Sequence, residues 1–173
     1  TMIESEYARL MARYNQWQNQ SLYRAAATLS YAGRKVDRGA FFESIHGTLC
    51  HLLWADRVWM SRFDGWARPD TPQAGSGRMI ENFDRLGRER GEDDARIIAW
   101  ADALPEGNLG GPLSFYSGAL GSDVTLPLWM CITHFFNHQT HHRGQAHALL
   151  TAAGAVPEDT DLFLMPEAQS APA

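Results

Sequence analysis

The sequence predicts an all-α fold, a four-helix bundle with a short β-hairpin before its last helix. Three observations lead there. Four long stretches carry apolar residues at three-and-four spacing, which gathers them on one helical face. Long connections rich in glycine and proline separate the second stretch from the third and the third from the fourth. The latter connection contains an alternating apolar–polar run, the pattern of a strand. The chain has 173 residues, which suits one domain over residues 1–173 with one buried core.

The first helix is expected over about residues 3–29, with Tyr7, Leu10, Met11, Tyr14, Trp17, Leu22, Ala25 and Leu29 as its stripe. A loop over 31–39 follows, with glycines punctuating it. The second helix is expected from about Ala40 to Phe63, with Phe42, Ile45, Leu49, Leu52, Trp59 and Phe63 facing inward. His51 lies beside that stripe among the small residues Ser44, Gly47, Thr48 and Ala55, which leave room for something other than a side chain. Asp56 falls where the stripe would otherwise be apolar. It needs a partner there, either a histidine that it orients or an arginine. Residues 64–77 are turn formers. The third helix, about Met79 to Ala103, carries Glu81–Arg85, Asp84–Arg88 and Glu92–Arg96 at the acid-before-base spacing of a solvated face. A hairpin is expected within 104–125, turning at Gly118 to Gly121. The fourth helix then runs from Leu128 to Ala153, with Gly154 and Pro157 ending it. The tail after Glu158 is expected to lie over the bundle or to fray.

Composition excludes several functions. Hydrophobic residues make up 45% of the chain, an ordinary share for a folded protein. The net charge of −5 and the lack of a basic patch argue against nucleic acid as a partner. Cys50 and Cys131 sit in apolar helical patterns and read as reduced, buried thiols. No stretch approaches the length of a membrane span, and the acidic amphipathic residues after Met2 do not resemble a leader. The expectation is a cytoplasmic protein without membrane contact.

The chemistry concentrates near the C-terminus. Five of the seven histidines fall between positions 134 and 147. His138 and His142 are four apart on the predicted fourth helix, as are His134 and His138, so each pair stacks on one face. Two imidazoles so placed can grip one divalent ion. A helix that merely carries solvated histidines shows the same spacing, and the pair alone does not decide. Facing helices of a bundle build such sites together, and the second helix offers His51. Cys131 is about 10 Å along the axis from His138, and Cys50 points to another side than His51. Gln145 shares the face of His138 and is a candidate to touch a metal-bound group from outside the ligand set.

The string Asn137-His138-Gln-Thr-His141-His142-Arg143-Gly144-Gln145 resembles the C-terminal signature of the DinB/YfiT-like superfamily. Tyr14-Asn-Gln-Trp17-Gln-Asn19-Gln-Ser-Leu22 is similar to its first-helix pattern, and the stretch from Ser44 to Trp59 around His51 to its second-helix histidine motif. The resemblance implies a four-helix bundle of up-down-down-up topology, often dimeric, with a divalent metal ion, zinc or nickel foremost, on three histidines. Carried over residue by residue, those ligands fall on His51, His138 and His142, while His134, His141 and His147 match no ligand position. Members include metal-dependent transferases and isomerases that use low-molecular-weight thiols such as bacillithiol or mycothiol, and others that look like hydrolases. The expected function is thiol-dependent S-transfer or isomerisation of a small-molecule substrate. Metal-dependent hydrolysis and a non-catalytic, metal-stabilised binding bundle stand as alternatives. The surplus of large apolar residues on the first two helices, among them Trp17, Tyr23, Trp54 and Trp59, leads to the expectation of a homodimer.

Overall fold

The structure, a computed structural model, describes residues 2–107 and 109–166. Helix α1 spans Ser5–Ala27, and a one-turn helix α2 spans Tyr31–Lys35. Helix α3 spans Ile45–Phe63 and α4 spans Phe83–Ala103. Strands β1 (Pro112–Ser117) and β2 (Ser122–Pro127) form an antiparallel hairpin before α5, Leu128–Ala152. A 3₁₀ turn, Gln73–Arg78, lies between α3 and α4.

Capping decides where the helices begin, and it corrects the boundaries expected from periodicity. The second long helix starts at Ile45, not near Ala40, because the Ser44 hydroxyl accepts the Gly47 N–H at 3.0 Å. Just before it, Glu43 has φ 64°, a left-handed turn that no helix continues through. The third starts at Phe83, because Asn82 caps it by accepting the Arg85 N–H at 2.8 Å. Glu81 therefore lies outside the helix and pairs with Lys35 and Tyr31 instead of Arg85. The expected loop at 31–39 opens with α2, which Ser30 caps. Gly154, at φ 83°, follows the end of α5 as a left-handed terminator.

Contacts along the helices fix the topology. Arg9 reaches Leu104, Arg13 reaches Asp102 and Asn19 reaches Asp94, so α1 and α4 run antiparallel. His51 meets His142, Asp56 meets Gln139 and Trp59 meets His134, so α3 and α5 are antiparallel too. Asp56 meets Arg90 and Phe63 meets Trp100, which makes α3 parallel to α4. Tyr7 meets Phe136 and Arg143 meets Asn15, which makes α1 parallel to α5. This is an up-down-down-up bundle. The described part of the tail lies over α1: Tyr14 and Gln18 donate to the Thr160 and Asp159 carbonyls, and the Glu158 N–H donates to Ser21.

The interior is two apolar clusters with a polar layer between them. Leu22, Ile45, Leu49, Leu53, Leu86 and Leu150 fill one end, and Met60, Ile97, Trp100, Ile132, Phe135 and Phe136 the other. At the waist, Asp56 of α3 accepts from Arg90 of α4 at 2.8 Å and from Gln139 of α5 at 3.1 Å. Arg90 Nη2 lies 2.8 Å from Asp94, close enough for an ion pair though not aligned as a hydrogen bond. Asn15 and Asn19 of α1 donate to Asp94, and Arg143 of α5 donates to Asn15. Burial raises the Asp94 carboxyl to about 6 against the pull of Arg90. For Arg90 burial works against the charge, but Asp94 and Asp56 win and hold it above its ordinary value.

The charge of the third long helix is thus only partly a solvated face, since Arg90, Asp93 and Asp94 are almost fully buried. The i,i+4 spacing of Arg90 and Asp94 is the same on either face; what differs is Asp56 and Asn19 opposite them. Replacing Arg90 by Met should leave two buried carboxylates without their cation and cost about 3–5 kcal/mol, read from the urea unfolding midpoint. A loss below about 1 kcal/mol would show that this layer does not depend on its arginine.

Candidate metal centre

The antiparallel pairing of α3 and α5 brings His51 against two successive turns of the last helix. One ring nitrogen each from His51, His138 and His142 lie within 4.8 Å of one another, the one such histidine, cysteine or carboxylate cluster among the described residues. Ring centroids are 4.4 Å apart for His138 and His142, 4.7 Å for His51 and His142, and 5.6 Å for His51 and His138.

Two of the rings, those of His51 and His142, are oriented from outside the cluster. The backbones of Gly77 and Gly47 meet closely: a Cβ on Gly77 would stand 3.4 Å from the Gly47 carbonyl oxygen. That approach seats the 3₁₀ turn against α3, and the Ser76 hydroxyl lies 2.8 Å from His51 Nδ1. A Cβ on Gly47 would come 2.2 Å from the Phe42 carbonyl, so only glycine fits there. Phe42 in turn stacks on His51 at 3.7 Å and meets His142 edge-on at 5.5 Å. On α5, Gln145 bridges two histidines, with Nε2 3.2 Å from His141 and Oε1 2.7 Å from His142 Nδ1. An amide oxygen accepts, so His142 carries its proton on Nδ1 and turns a bare Nε2 toward His138.

That nitrogen lies 3.1 Å from His138 Nε2. A neutral His138 ring bridges that gap with its own Nε2–H or, with the proton on Nδ1, turns a second lone pair toward a shared cation. Burial first, and then the neighbouring imidazoles, depress His51 and His138 to about 3, so both rings are neutral at pH 7. His142 is lowered as well, chiefly by burial. Three neutral imidazoles converging in this way fit a divalent cation of the borderline type that imidazole binds well.

The remaining candidates fall elsewhere. His134 lies against Trp59 at 5.0 Å and 5.8 Å from His138, outside the cluster. His141 meets Gln145, and His46 lies 2.7 Å from the Ile80 carbonyl. Cys50 and Cys131 are buried free thiols, raised by burial, and neither joins the histidines. Asp56 answers an arginine and not a histidine. Gln145, the candidate to touch a metal-bound group, holds the His142 ring through its amide oxygen. Ser76 and Phe42 escaped the sequence reading. Ser76 sits in a run of turn formers, and Phe42 was assigned to the core stripe.

A cavity of about 860 Å³ opens beside the histidines. His51 and His138 form one end, Trp54, Val58 and Trp59 of α3 form a wall, and Phe115 and Leu126 of the hairpin cover it. Two of the surplus aromatics, Trp54 and Trp59, are thereby occupied in lining a pocket.

The family model of the DinB family matches residues 2–172. Among curated proteins, Protein DinB of Bacillus subtilis (strain 168) is 27% identical over 167 residues, spanning 92% of this chain and 95% of that protein.

Two outcomes are expected of this centre. Gln145→Ala should weaken divalent-metal affinity by about 10- to 100-fold in calorimetric titration, because the His142 ring loses its anchor. An unchanged affinity would show that Gln145 does not orient the ligand. The second concerns the metal-free protein. With folded pKa values near 3 against an ordinary 6.5, His51 and His138 stay neutral when folded but bind protons when unfolded. Stability should be fully present above pH 6.5 and fall as pH drops toward 3, with these two contributing a slope approaching two protons. The His51→Gln/His138→Gln variant should flatten that slope in urea titrations between pH 7 and 4. Parallel slopes would show that neither ring is held neutral by the fold.

Proposed function

This chain belongs to the DinB family, and on that premise we propose that it is a metal-dependent transferase moving a small thiol onto an electrophilic substrate. His51, His138 and His142 would hold the ion, zinc or nickel by the preference of imidazole donors. The observation that carries the reading is the cavity, about 860 Å³ and walled by indole and aliphatic side chains, opening onto His51 and His138. Hydrolysis of a small polar bond needs only a water beside the site. Space for two organic reactants together favours group transfer over the hydrolytic alternative.

A divalent ion so held supplies Lewis acidity, which lowers the pKa of a thiol at the site. The chain's own residues do the rest. Ser76 and Gln145 hold the His51 and His142 rings, so two of the three donors are set in place. Trp54 and Trp59 offer flat apolar surfaces that hold an organic body and exclude water. His134, lining the same cavity one turn before His138 and lowered by burial and then by the Arg62 cation, is neutral at pH 7 and open to accept the proton that the thiol gives up. The proposal places a small-molecule substrate in the cavity, with no nucleic acid or membrane partner, in a cytoplasmic homodimer.

Protein freed of metal with a chelator, reloaded with zinc or nickel and given a reactive alkyl or aryl halide should turn over only when a small thiol is added. His138→Ala should abolish metal binding and turnover while far-UV circular dichroism stays largely unchanged, because apolar packing holds the helices. Metal-dependent turnover that is equal without thiol would assign hydrolysis instead. No turnover in either condition would leave the metal-stabilised binding bundle.

A further inference from the structure

Past His134, at the end of the cavity away from His51, the lining includes Arg62 and Arg68. Arg62 sits in the corner of two edge-to-face rings, its guanidinium carbon 4.4 Å from the centre of the Trp59 ring and 4.1 Å from that of Phe115. Contacts with aromatic rings take up charge and flat surface but leave N–H donors over. Among the described residues, no carboxylate pairs with Arg62 or Arg68, whereas eight other arginines have one; Arg34, Arg38, Arg88 and Arg143 also have none but do not line this cavity. Burial first, and then the nearby Arg68, lowers the Arg62 guanidinium below its ordinary value. Asp70, the one carboxylate lining this cavity, lies outside pairing distance of both. In a chain of net charge −5, two unpaired arginines at the end of an aromatic cavity form a local positive pole.

We propose that Arg62 and Arg68 form an oxyanion-binding subsite, and that the cavity takes an elongated organic anion with an apolar or aromatic body. Its carboxylate, sulfonate or phosphate end would sit between the arginines and its other end beside His138. Clamping the hairpin to α3 accounts for the ring contacts of Arg62, but not for its unused N–H donors, nor for Arg68 lining the same cavity. His51 and Arg62 are eleven residues apart on α3, about 16 Å along the axis at 1.5 Å per residue. A molecule that bridges the two ends must be longer than an amino acid. The inference rests on the transferase reading only for what happens at the histidine end; the anion subsite stands without it.

The test uses metal-free protein, so that the probe's anion has no ion to bind. Octane-1-sulfonate and 1-octanol share an alkyl body and differ in the charged end. Calorimetry should show the sulfonate binding at least about 10-fold tighter at low salt, with the advantage shrinking as salt rises. Arg68→Gln, on an exposed loop, and Arg62→Gln should each remove most of that advantage, and Arg62→Lys should restore part of it. If Arg62→Gln also loses octanol binding, the clamp has opened and Arg68→Gln decides. Equal affinity for the two probes in the wild type, or an unchanged preference in the double variant, would overturn the proposal. Octanoate and octyl phosphate, run in parallel, show which oxyanion the pair prefers. Failure of thiol transfer would leave this result intact, and failure here would leave the three-histidine reading intact.

Discussion

Three imidazoles from two antiparallel helices meet only if those helices hold their register, and the buried polar layer at the waist holds it. Asp56 binds α3 to α4 through Arg90 and to α5 through Gln139. Gln139 and Arg143 each follow a site histidine by one residue, so the layer and the cluster alternate along the same turns of α5. Apolar clusters at both ends supply cohesion but tolerate small slips. A pair of buried carboxylates around one guanidinium does not, because any slip leaves a charge unpaired in a medium that cannot solvate it.

The same exclusion of water explains the state of the histidines. Rings held neutral by burial and by one another offer lone pairs at pH 7, as a metal ligand must. Rigid partners support them: a serine on a turn locked by two facing glycines, and a glutamine spanning two histidines of its own helix. The cavity arises because the hairpin, pinned through Phe115 and Arg62 to Trp59, lies over the α3–α5 groove without filling it. Fold, donor set and cavity therefore share one pair of helices.

The sequence made the helices legible because their stripes are long and regular. The hairpin showed as alternation between glycines, and its turn falls between Ser117 and Ser122 as expected. His138 and His142 were readable from spacing, and His51 through the motif around it. The polar layer was not readable. Arg90 and Asp94 have the spacing of a surface pair, and their burial depends on Asn15, Asn19 and Asp56, far away in sequence. Ser76 was hidden for the same reason, since a serine between glycines reads as turn composition until the turn is seen against α3. Helix starts were misplaced where apolar residues such as Phe41 and Met79 extended the pattern beyond the capping residues Ser44 and Asn82.

The central claim is that His51, His138 and His142 share one divalent ion. It is tested most directly by anomalous diffraction at the metal edge, on crystals of protein prepared without a polyhistidine tag and loaded with zinc or nickel. The account predicts one anomalous peak per chain, bonded to a ring nitrogen of each of these three residues. A peak at His134, His141 or His147 instead, or no peak between α3 and α5, would contradict it.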